Sequence, residues 1–464
     1  MWSFLFPRKF SRSGSSHRLR MFENVLGQAA AGRLMEDMEA GILAPAMLFS
    51  GPPASGKGTS ALELGRAISC EARAAWNCSC PACSRHRLLI HQDLLCFGFR
   101  SFFAEIAAAA GAFLKEASQG AGNSSSRILF IRSVRKLLAR FNPVLWEDEP
   151  KGRSAAPLVE SLGEDLDELE ILREDLLKDL AALNKLIEGM LKNAFKLESE
   201  GMGESVPIAQ IRRASWWSHL APLGRGKLLI IENADRMQDE ARNSLLKLLE
   251  EPPPRVTIVL TTQRPGSLLP TMLSRLRPYR FGARAASVED DVIRRVFRGE
   301  APAGAQGNRI SAYLDTFLPV SGETLEALAS FFAASAAYRA VLLLKKQGRP
   351  IPEEVVLLGK YCAPRAEAAG LGRPQGECGA VSALVLEKAD KFGIRTLFTR
   401  FLSCLLEQAS LSQRQASFTP LVAYNAVWND CVNRAENAEG VYNLRSAQVL
   451  EMLFNDLGRG LAEL

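Results

Sequence analysis

The sequence predicts an α/β domain built on a parallel sheet with helices on both faces, followed by largely helical regions. Leu228 to Ile231 and Val256 to Leu260 are short, unbroken apolar runs, which is typical of strands buried on both faces. The segment between them, Asp239 to Glu251, has apolar residues at helical spacing and is followed by three prolines. Another apolar run, Ala46 to Phe49, leads into a glycine-rich loop and a helix. This alternation of strands and helices favours parallel pairing.

Composition bounds the class of protein. The chain has 464 residues, enough for about three domains, and 47% of them are hydrophobic. Its net charge of +6 is compatible with nucleic acid nearby but does not by itself indicate contact. No run reaches the roughly 18 apolar residues of a membrane span. We therefore expect a cytoplasmic protein with no membrane partner.

Residues 1–20 have a different composition from the rest of the chain. They carry five basic residues and no acidic one, and the apolar patch Trp2 to Phe6 is too short for a signal peptide. A disordered basic tail is expected, with Met21 as an alternative translation start.

A glycine-rich loop follows the run Ala46 to Phe49. It reads Gly51-Pro-Pro-Ala-Ser-Gly56-Lys57-Gly58-Thr59 and opens a helix. Glycines let backbone N–H groups wrap phosphates, a lysine reaches the β- and γ-phosphates, and the helix N-terminus attracts negative charge. Gly58 stands where a serine or threonine usually ligates Mg²⁺, and Thr59 follows one place later. The motif predicts nucleotide binding with altered metal ligation.

Several segments together resemble the AAA+ subunits of the bacterial DNA polymerase III clamp loader, delta-prime or gamma/tau. They are the helix ARNSLLKLLEEPP at 241–253, the run LLPTMLSR at 268–275, and the strand LLIIENAD at 228–235. MFENVLGQ at 21–28 and VPIAQIR at 206–212 are also similar to segments of that family. The resemblance implies an AAA+ module, a helical lid and an all-α collar, with ATP and Mg²⁺ as the ligands of active members.

The resemblance also assigns roles to the residues that follow the predicted strand Leu228 to Ile231. Active members carry Asp-Glu there, for Mg²⁺ and for activating water, whereas this chain has Glu232 and Asn233. An amide cannot accept a proton, so Asn233 is a poor general base. We predict a subunit that binds nucleotide weakly or not at all and hydrolyses it slowly or never. A compensating role for Asp235 is the alternative.

Three further positions are assigned by the resemblance. Arg275, in Ser274-Arg275, matches the arginine finger that reaches a neighbouring subunit's γ-phosphate. Thr262, or else Thr261, matches the family's sensor residue, which follows the predicted strand Val256 to Leu260. Arg339 is the candidate second sensor of the lid.

Four cysteines lie close together in the sequence, at Cys70, Cys78, Cys80 and Cys83. Four thiolates can form a closed, structural zinc site, and the family carries a small zinc module at this place. The one-residue spacing of Cys78 and Cys80 departs from the family pattern, so His86 is an alternate ligand. Such a metal would stabilise the segment 70–86 rather than catalyse a reaction.

About a hundred residues, from about 100 to 203, are inserted relative to the family. They contain an alanine-rich helical stretch, a basic amphipathic helix from Arg127 to Phe141, and a linker from Pro143 to Pro157. A leucine-rich heptad run then extends from Leu162 to Met190, broken at Arg173. Its wide apolar stripe favours a helical hairpin or bundle over a lone coiled coil. The insertion is interpreted as a structural appendage, and the more specific alternative is a docking arm for a replication partner.

The sequence thus predicts a tail at 1–20, an AAA+ module at 21–283, a lid at 284–375 and a collar at 380–464. Pro364 to Gly379 is predicted to be a linker. The function that the resemblance implies is that of a delta-prime-like subunit, deficient in hydrolysis, that donates Arg275. Its partners would be the other subunits of a hetero-pentamer, the sliding clamp, and primed DNA reached through the complex. A gamma/tau-like ATPase and a nucleotide-regulated scaffold that uses the insertion are the alternatives.

Overall fold

A computed structural model of the chain describes residues 21–120, 125–146, 150–171, 179–202, 205–302, 307–389, 395–415, 422–440 and 444–464. The chain forms two compact units, 1–317 and 318–464. The predicted tail lies outside the described residues. The predicted lid, 284–375, extends over both units.

The first unit is organised around a five-stranded parallel sheet, which confirms the predicted sheet. The strands are β1 (Ala46–Ser50), β2 (Leu94–Gly98), β3 (Lys227–Glu232), β4 (Val256–Thr262) and β5 (Arg277–Arg280). Their order is β2-β3-β4-β1-β5, and every pairing is parallel. This order brings the carboxyl ends of β1, β3 and β4 to one edge, where open α/β sheets bind ligands.

Both faces of the sheet are buried because alternate residues of each strand point to opposite sides. Leu229 and Ile231 pack with the helices on one face, whereas Leu228 and Ile230 pack with those on the other. The helices and short helical turns of the first unit, outside the insertion, are Ala29–Glu39, Lys57–Ser69, Pro81–Arg87, Ile208–His219, Ala234–Arg236, Asp239–Glu250, Pro265–Ser267, Pro270–Leu273, Ala286–Val292, Ile293–Phe297 and Arg309–Asp315.

The insertion folds as a helical bundle with its own apolar core. Its helices and helical turns are Phe103–Ser118, Ser125–Leu138, Ala139–Phe141, Pro143–Trp146, Pro150–Ile171, Leu180–Lys196 and Leu197–Gly201. The heptad residues Leu162, Leu166 and Ile187 are buried against Phe113 and Phe130 of the first two helices. The wide stripe is therefore covered by neighbouring helices of the insertion itself. Arg173 and Leu176 lie outside the described residues.

Two predicted linkers are wrong in part. Residues 150–157 belong to the helix Pro150–Ile171, and Pro157 lies inside it. Pro364 likewise lies inside the helix Glu353–Ala368. A proline removes one intrahelical hydrogen bond. Burial of Leu162 and Leu166 on one helix, and of Leu358 and Cys362 on the other, offsets that loss.

The second unit consists of helices in its described part. They are Gly322–Gln347, Glu353–Ala368, Cys378–Lys388, Arg395–Gln415, Val422–Gly440 and Ser446–Glu463. The first of these is central, and its Phe332 contacts Phe401 and Phe454 edge-on, with ring centroids 5.6 Å apart in both pairs. This helix is long and apolar enough to cross a membrane by length and composition alone, but 67% of its most apolar window is buried inside the unit. That burial is typical of a core helix.

Candidate functional site

The glycine-rich loop connects β1 to the helix Lys57–Ser69 and has the backbone of a phosphate-binding loop. Gly56 has φ +93°, in the left-handed region, and a Cβ there would lie 2.6 Å from Nη2 of Arg284. A Cβ at Gly51 would collide with the carbonyl oxygen of Phe281. Both positions therefore require glycine. The helix begins at Lys57, so its first backbone N–H groups and its dipole face the loop.

Lys57 lies within this loop. Its Nζ donates to the carbonyl oxygens of Gly51, at 2.7 Å, and Pro52, at 2.6 Å. Burial lowers the pKa of Lys57 to about 8, although attraction to Glu232 and Asp235 offsets part of that effect. Thr59, next in the helix after Gly58, is exposed.

The lowered pKa gives a testable pH dependence. Because a protonated lysine attracts phosphate, binding at a pH above about 8 requires uptake of a proton. We expect the affinity for ATP to fall as the pH rises through that value, by up to about tenfold per pH unit. Isothermal titration calorimetry in buffers from about pH 7 to about pH 9 measures it. Lys57→Arg, whose guanidinium stays protonated across this range, should bind ATP without this pH dependence, and an unchanged slope in that variant would assign the dependence to another group.

The acidic end of β3 contacts arginines. Glu232 is buried, and its Oε2 accepts a hydrogen bond from Nη2 of Arg140. The Nε of Arg100 lies 3.8 Å from the same oxygen. A Cβ at Gly58 would lie 3.0 Å from Oε1 of Glu232. Glu232 therefore sits beside the first turn of the phosphate-loop helix, and a side chain at position 58 would press against it.

Asn233 is held by its backbone and by its amide. It has a left-handed φ of +48°, and its Nδ2 donates to the carbonyl oxygen of Phe99 at 2.7 Å. Its backbone N–H donates to Oγ1 of Thr261 at 3.2 Å. A glutamate at this position could not make the bond to Phe99, because a carboxylate only accepts hydrogen bonds.

The predicted sensor residue Thr262 contacts the alternative acid. Its Oγ1 donates to Oδ1 of Asp235 at 2.6 Å and accepts from the backbone N–H of Arg264 at 2.9 Å. The fold thus gathers Lys57, Glu232, Asp235 and Thr262 at one edge of the sheet. Arg339, the candidate second sensor, belongs to the second unit, where its Nη1 donates to the carbonyl oxygen of Gly376 at 3.0 Å.

Sequence reasoning missed three arginines at this site. Arg100 and Arg140 contact Glu232, and Arg284 donates to the carbonyl oxygen of Ala54 in the phosphate loop and to that of Leu26. Arg140 belongs to the predicted basic amphipathic helix, so the residue type was visible. Its partner was not, because Glu232 lies 92 positions away in the sequence.

Arg275 lies between the short helix Pro270–Leu273 and strand β5. Its Nη2 lies 2.7 Å from Oε1 of Glu250, and its Nη1 donates to the carbonyl oxygen of Thr271 at 2.6 Å. The side chains of Arg275 and Glu250 are 34% and 46% exposed. An ion pair this exposed contributes only about 0–1 kcal/mol.

The four clustered cysteines form a candidate metal centre. The Sγ atoms of Cys70, Cys78, Cys80 and Cys83 all lie within 4.8 Å of one another. The Cys70–Cys78 distance is 3.7 Å and the Cys70–Cys80 distance is 4.0 Å. Tetrahedral zinc with bonds of about 2.3 Å places its sulfurs about 3.8 Å apart. The donor set therefore fits a structural zinc ion.

Neighbouring groups orient the cluster. The backbone N–H groups of Ala72 and Ala74 donate to Sγ of Cys70, at 3.4 and 3.2 Å. Arg66, on the phosphate-loop helix, donates to Sγ of Cys83 at 3.0 Å. His86, the alternate ligand, lies outside the cluster: its Nε2 is 2.8 Å from Oγ of Ser69, and its ring stacks on His91. Donors that face the sulfurs stabilise thiolates and hold them in place.

The parallel sheet, the phosphate loop and the acidic strand end define a P-loop module of the AAA+ class. A family model described as DNA polymerase III, delta subunit, matches residues 27–145 and 178–284. The DNA polymerase III subunit delta' of Pseudomonas aeruginosa is 35% identical over 95 residues, which are 20% of this chain and 29% of that protein. The subunit of the same name from Bacillus subtilis is 44% identical over 68 residues, 14% of this chain and 21% of that one.

The family model matches just under half of the chain, and together with the two relatives it supports a clamp-loader subunit of DNA polymerase III. The matched segments span less than a third of the length of these two relatives. Among solved structures, a DNA polymerase III gamma subunit-related protein from Thermotoga maritima matches with a TM-score of 0.27 and 20% identity. That match covers 56% of this chain and 81% of the other.

Proposed function

We propose that this chain is a delta-prime-like subunit of the clamp loader that does not itself hydrolyse ATP and that donates Arg275 to the ATP site of a neighbouring subunit. In this role it helps to load a sliding clamp onto primed DNA. The other subunits of a pentameric complex are its direct partners, and DNA is reached through the complex.

The observation that carries the proposal is that Glu232 and Asn233, at the end of β3, are already engaged by other groups. Glu232 forms an ion pair with Arg140, and the amide of Asn233 donates to Phe99. P-loop enzymes need a carboxylate for Mg²⁺ and a group that positions the attacking water. Neither side chain is available for that work, and Asn233 cannot take a proton. Hydrolysis therefore falls to another subunit.

The surroundings of Arg275 support its role as a finger. It lies near the surface, and among the described residues its contacts are an exposed pair with Glu250 and hydrogen bonds to its own turn. A γ-phosphate offers more charge and stronger hydrogen bonds than that partly solvated carboxylate. Arg275 can therefore leave Glu250 when a neighbour's nucleotide approaches.

The test is ATP hydrolysis by the complex reconstituted with the clamp-loader subunits, sliding clamp and primed DNA of the same organism. We expect Arg275→Ala to lower hydrolysis at the neighbouring site by at least about tenfold, since an arginine finger contributes about 10³ or more to kcat. Arg277→Ala is the matched control, because Arg277 is 59% exposed and lies 3.9 Å from its acidic partner Asp37.

Three outcomes would contradict the proposal. Equal activity of Arg275→Ala and Arg277→Ala would exclude the finger. Hydrolysis by the isolated chain that is lost in Lys57→Ala would instead make it a gamma/tau-like ATPase. Failure to assemble with clamp-loader subunits would favour a scaffold unconnected to replication.

A further inference from the structure

We propose that the guanidinium groups of Arg140 and Arg100 replace the divalent cation at this P-loop, so that the site binds a nucleoside polyphosphate without Mg²⁺. The inference rests on the proposed function only in taking the P-loop as a nucleotide site. It goes further in naming a metal-free mode of binding and in giving the insertion a part in it.

The position of Glu232 shows where a metal would have to bind. In P-loop proteins the cation is held between the hydroxyl after the loop lysine and an acid at the end of another strand of the sheet. Here the residue after Lys57 is Gly58, and the acid is Glu232, whose Oε1 lies 3.0 Å from the position of a Gly58 Cβ. The chain lacks the hydroxyl, and the carboxylate is already paired. The residues present therefore do not fit Mg²⁺.

Arg140 is held beside Glu232 by contacts on several sides. It is 5% exposed, its Nη2 donates to Glu232, and its Nη1 donates to Sγ of Cys96 at 2.9 Å. Its guanidinium lies 4.9 Å from the ring centroid of Phe102, and that of Arg100 lies 4.7 Å from the same centroid. The indole N–H of Trp146 donates to its carbonyl oxygen. This is a fixed cation rather than a mobile surface arginine.

Charge favours the replacement of a divalent cation by these two arginines. Arg140 and Arg100 together carry two positive charges, the charge of the divalent ion. Their acidic neighbours are Glu232 and Glu105, and Glu105 is also paired with Lys136. A metal at Glu232 would have to displace Arg140 and leave a buried guanidinium unpaired, which is strongly unfavourable. Divalent ions are therefore excluded from this carboxylate.

The features that hold phosphate are retained. Gly51 and Gly56 keep the loop backbone, Lys57 lies within it, and Arg284 braces it through Ala54. Within the described residues, the buried Nε of Arg140 has no hydrogen-bond partner, so this guanidinium keeps a donor for one more acceptor. The site thus retains cations and donors for a polyphosphate, with arginine in place of metal.

The test measures binding of a fluorescent ATP analogue to the full chain in Mg²⁺ and in excess EDTA. We expect the two Kd values to agree within about twofold for the wild type, and binding to be lost in Lys57→Ala. Arg140→Gln should weaken binding in EDTA by at least about tenfold and make the remainder dependent on Mg²⁺. Arg140→Lys keeps the charge and should retain metal-free binding in part.

Each other outcome overturns the inference. Wild-type binding that requires Mg²⁺, no binding under either condition, or metal-free binding that Arg140→Gln leaves unchanged would each do so. Melting temperatures check the fold, and Arg100→Gln, at a residue 27% exposed, provides a second variant if Arg140→Gln does not fold. The Arg275 experiment in the assembled complex does not depend on this result, so failure here and failure of the proposed function can be told apart.

Discussion

Replacing Cys83 by alanine is expected to release one equivalent of zinc and to unfold the segment that carries the four cysteines. Cys83 is fully buried and lies between the helix Pro81–Arg87, which carries it, and Arg66 of the phosphate-loop helix. Structural zinc sites contribute apparent binding free energies of about 10–16 kcal/mol in zinc-finger peptides. That exceeds what a short segment with so few buried apolar residues can supply by packing.

Zinc content by a chromogenic chelator, together with limited proteolysis, measures this effect. Cys378→Ser is the matched control, because Cys378 lies in the second unit and outside the cluster. His86→Gln should retain zinc, since His86 contacts Ser69 instead of the sulfurs. A protein purified without zinc, or a Cys83→Ala variant as resistant to protease as the wild type, would contradict the metal site.

Replacing Glu198 by alanine is expected to cause the second large loss, about 2–3 kcal/mol of the free energy of unfolding, because hydrogen bonds to a charged group contribute about 1.5–3 kcal/mol. Glu198 is buried at the end of the insertion and accepts from Oγ of Ser101 at 2.7 Å and from the backbone N–H groups of Phe102 and Phe103 at 2.9 and 2.7 Å. It therefore caps the first helix of the insertion.

Glu198→Gln is the matched variant. Its amide oxygen can accept from the two backbone N–H groups, and its NH₂ can donate to Ser101, so most of the cap is retained. Burial raises the pKa of Glu198 above its usual 4.5, although the three hydrogen bonds oppose this shift. A raised acid pKa gives stability that is present at low pH and lost as the pH rises. The wild type should therefore lose stability relative to Glu198→Gln as the pH rises above about 4.5.

Urea denaturation of the three proteins across that pH range measures both effects. If Glu198→Ala were as stable as Glu198→Gln, the hydrogen bonds to Phe102 and Phe103 would not hold the insertion. If the stability difference between wild type and Glu198→Gln did not change with pH, the carboxyl would not be the group responsible.

Local sequence was sufficient for the sheet and the loop. The runs Leu228 to Ile231 and Val256 to Leu260 are too short and too apolar for surface helices, and β3 and β4 contain them in full. Gly56 and Gly51 were required by backbone conformation and close approach, which a glycine-rich motif reports directly. The four cysteines converge because the turn from Cys70 to Cys83 is short. For the strands and for the cysteine cluster, the residues that decide the structure are near one another in the chain.

The prolines show the limit of local reasoning. Pro157 and Pro364 are helix breakers by intrinsic preference, yet both lie inside helices whose apolar faces are buried. The intrinsic preference of one proline against the helix costs about 3 kcal/mol of helix stability, and the burial of several leucines contributes more than that. The wide leucine stripe did predict a bundle, because a stripe of that width must be covered on more than one side.

What the sequence alone determined is that Asn233 cannot act as a base and that Gly58 cannot ligate a metal, since both statements follow from side-chain chemistry. It also pointed to Arg275, through a motif shared with the family. The groups that face Glu232 could be identified only from the packing of the folded chain. Arg140 and Arg100 reach that carboxylate from the insertion, across 92 and 132 positions of sequence. Ion pairing between residues so far apart leaves no local pattern, because it depends on how separate helices and strands pack.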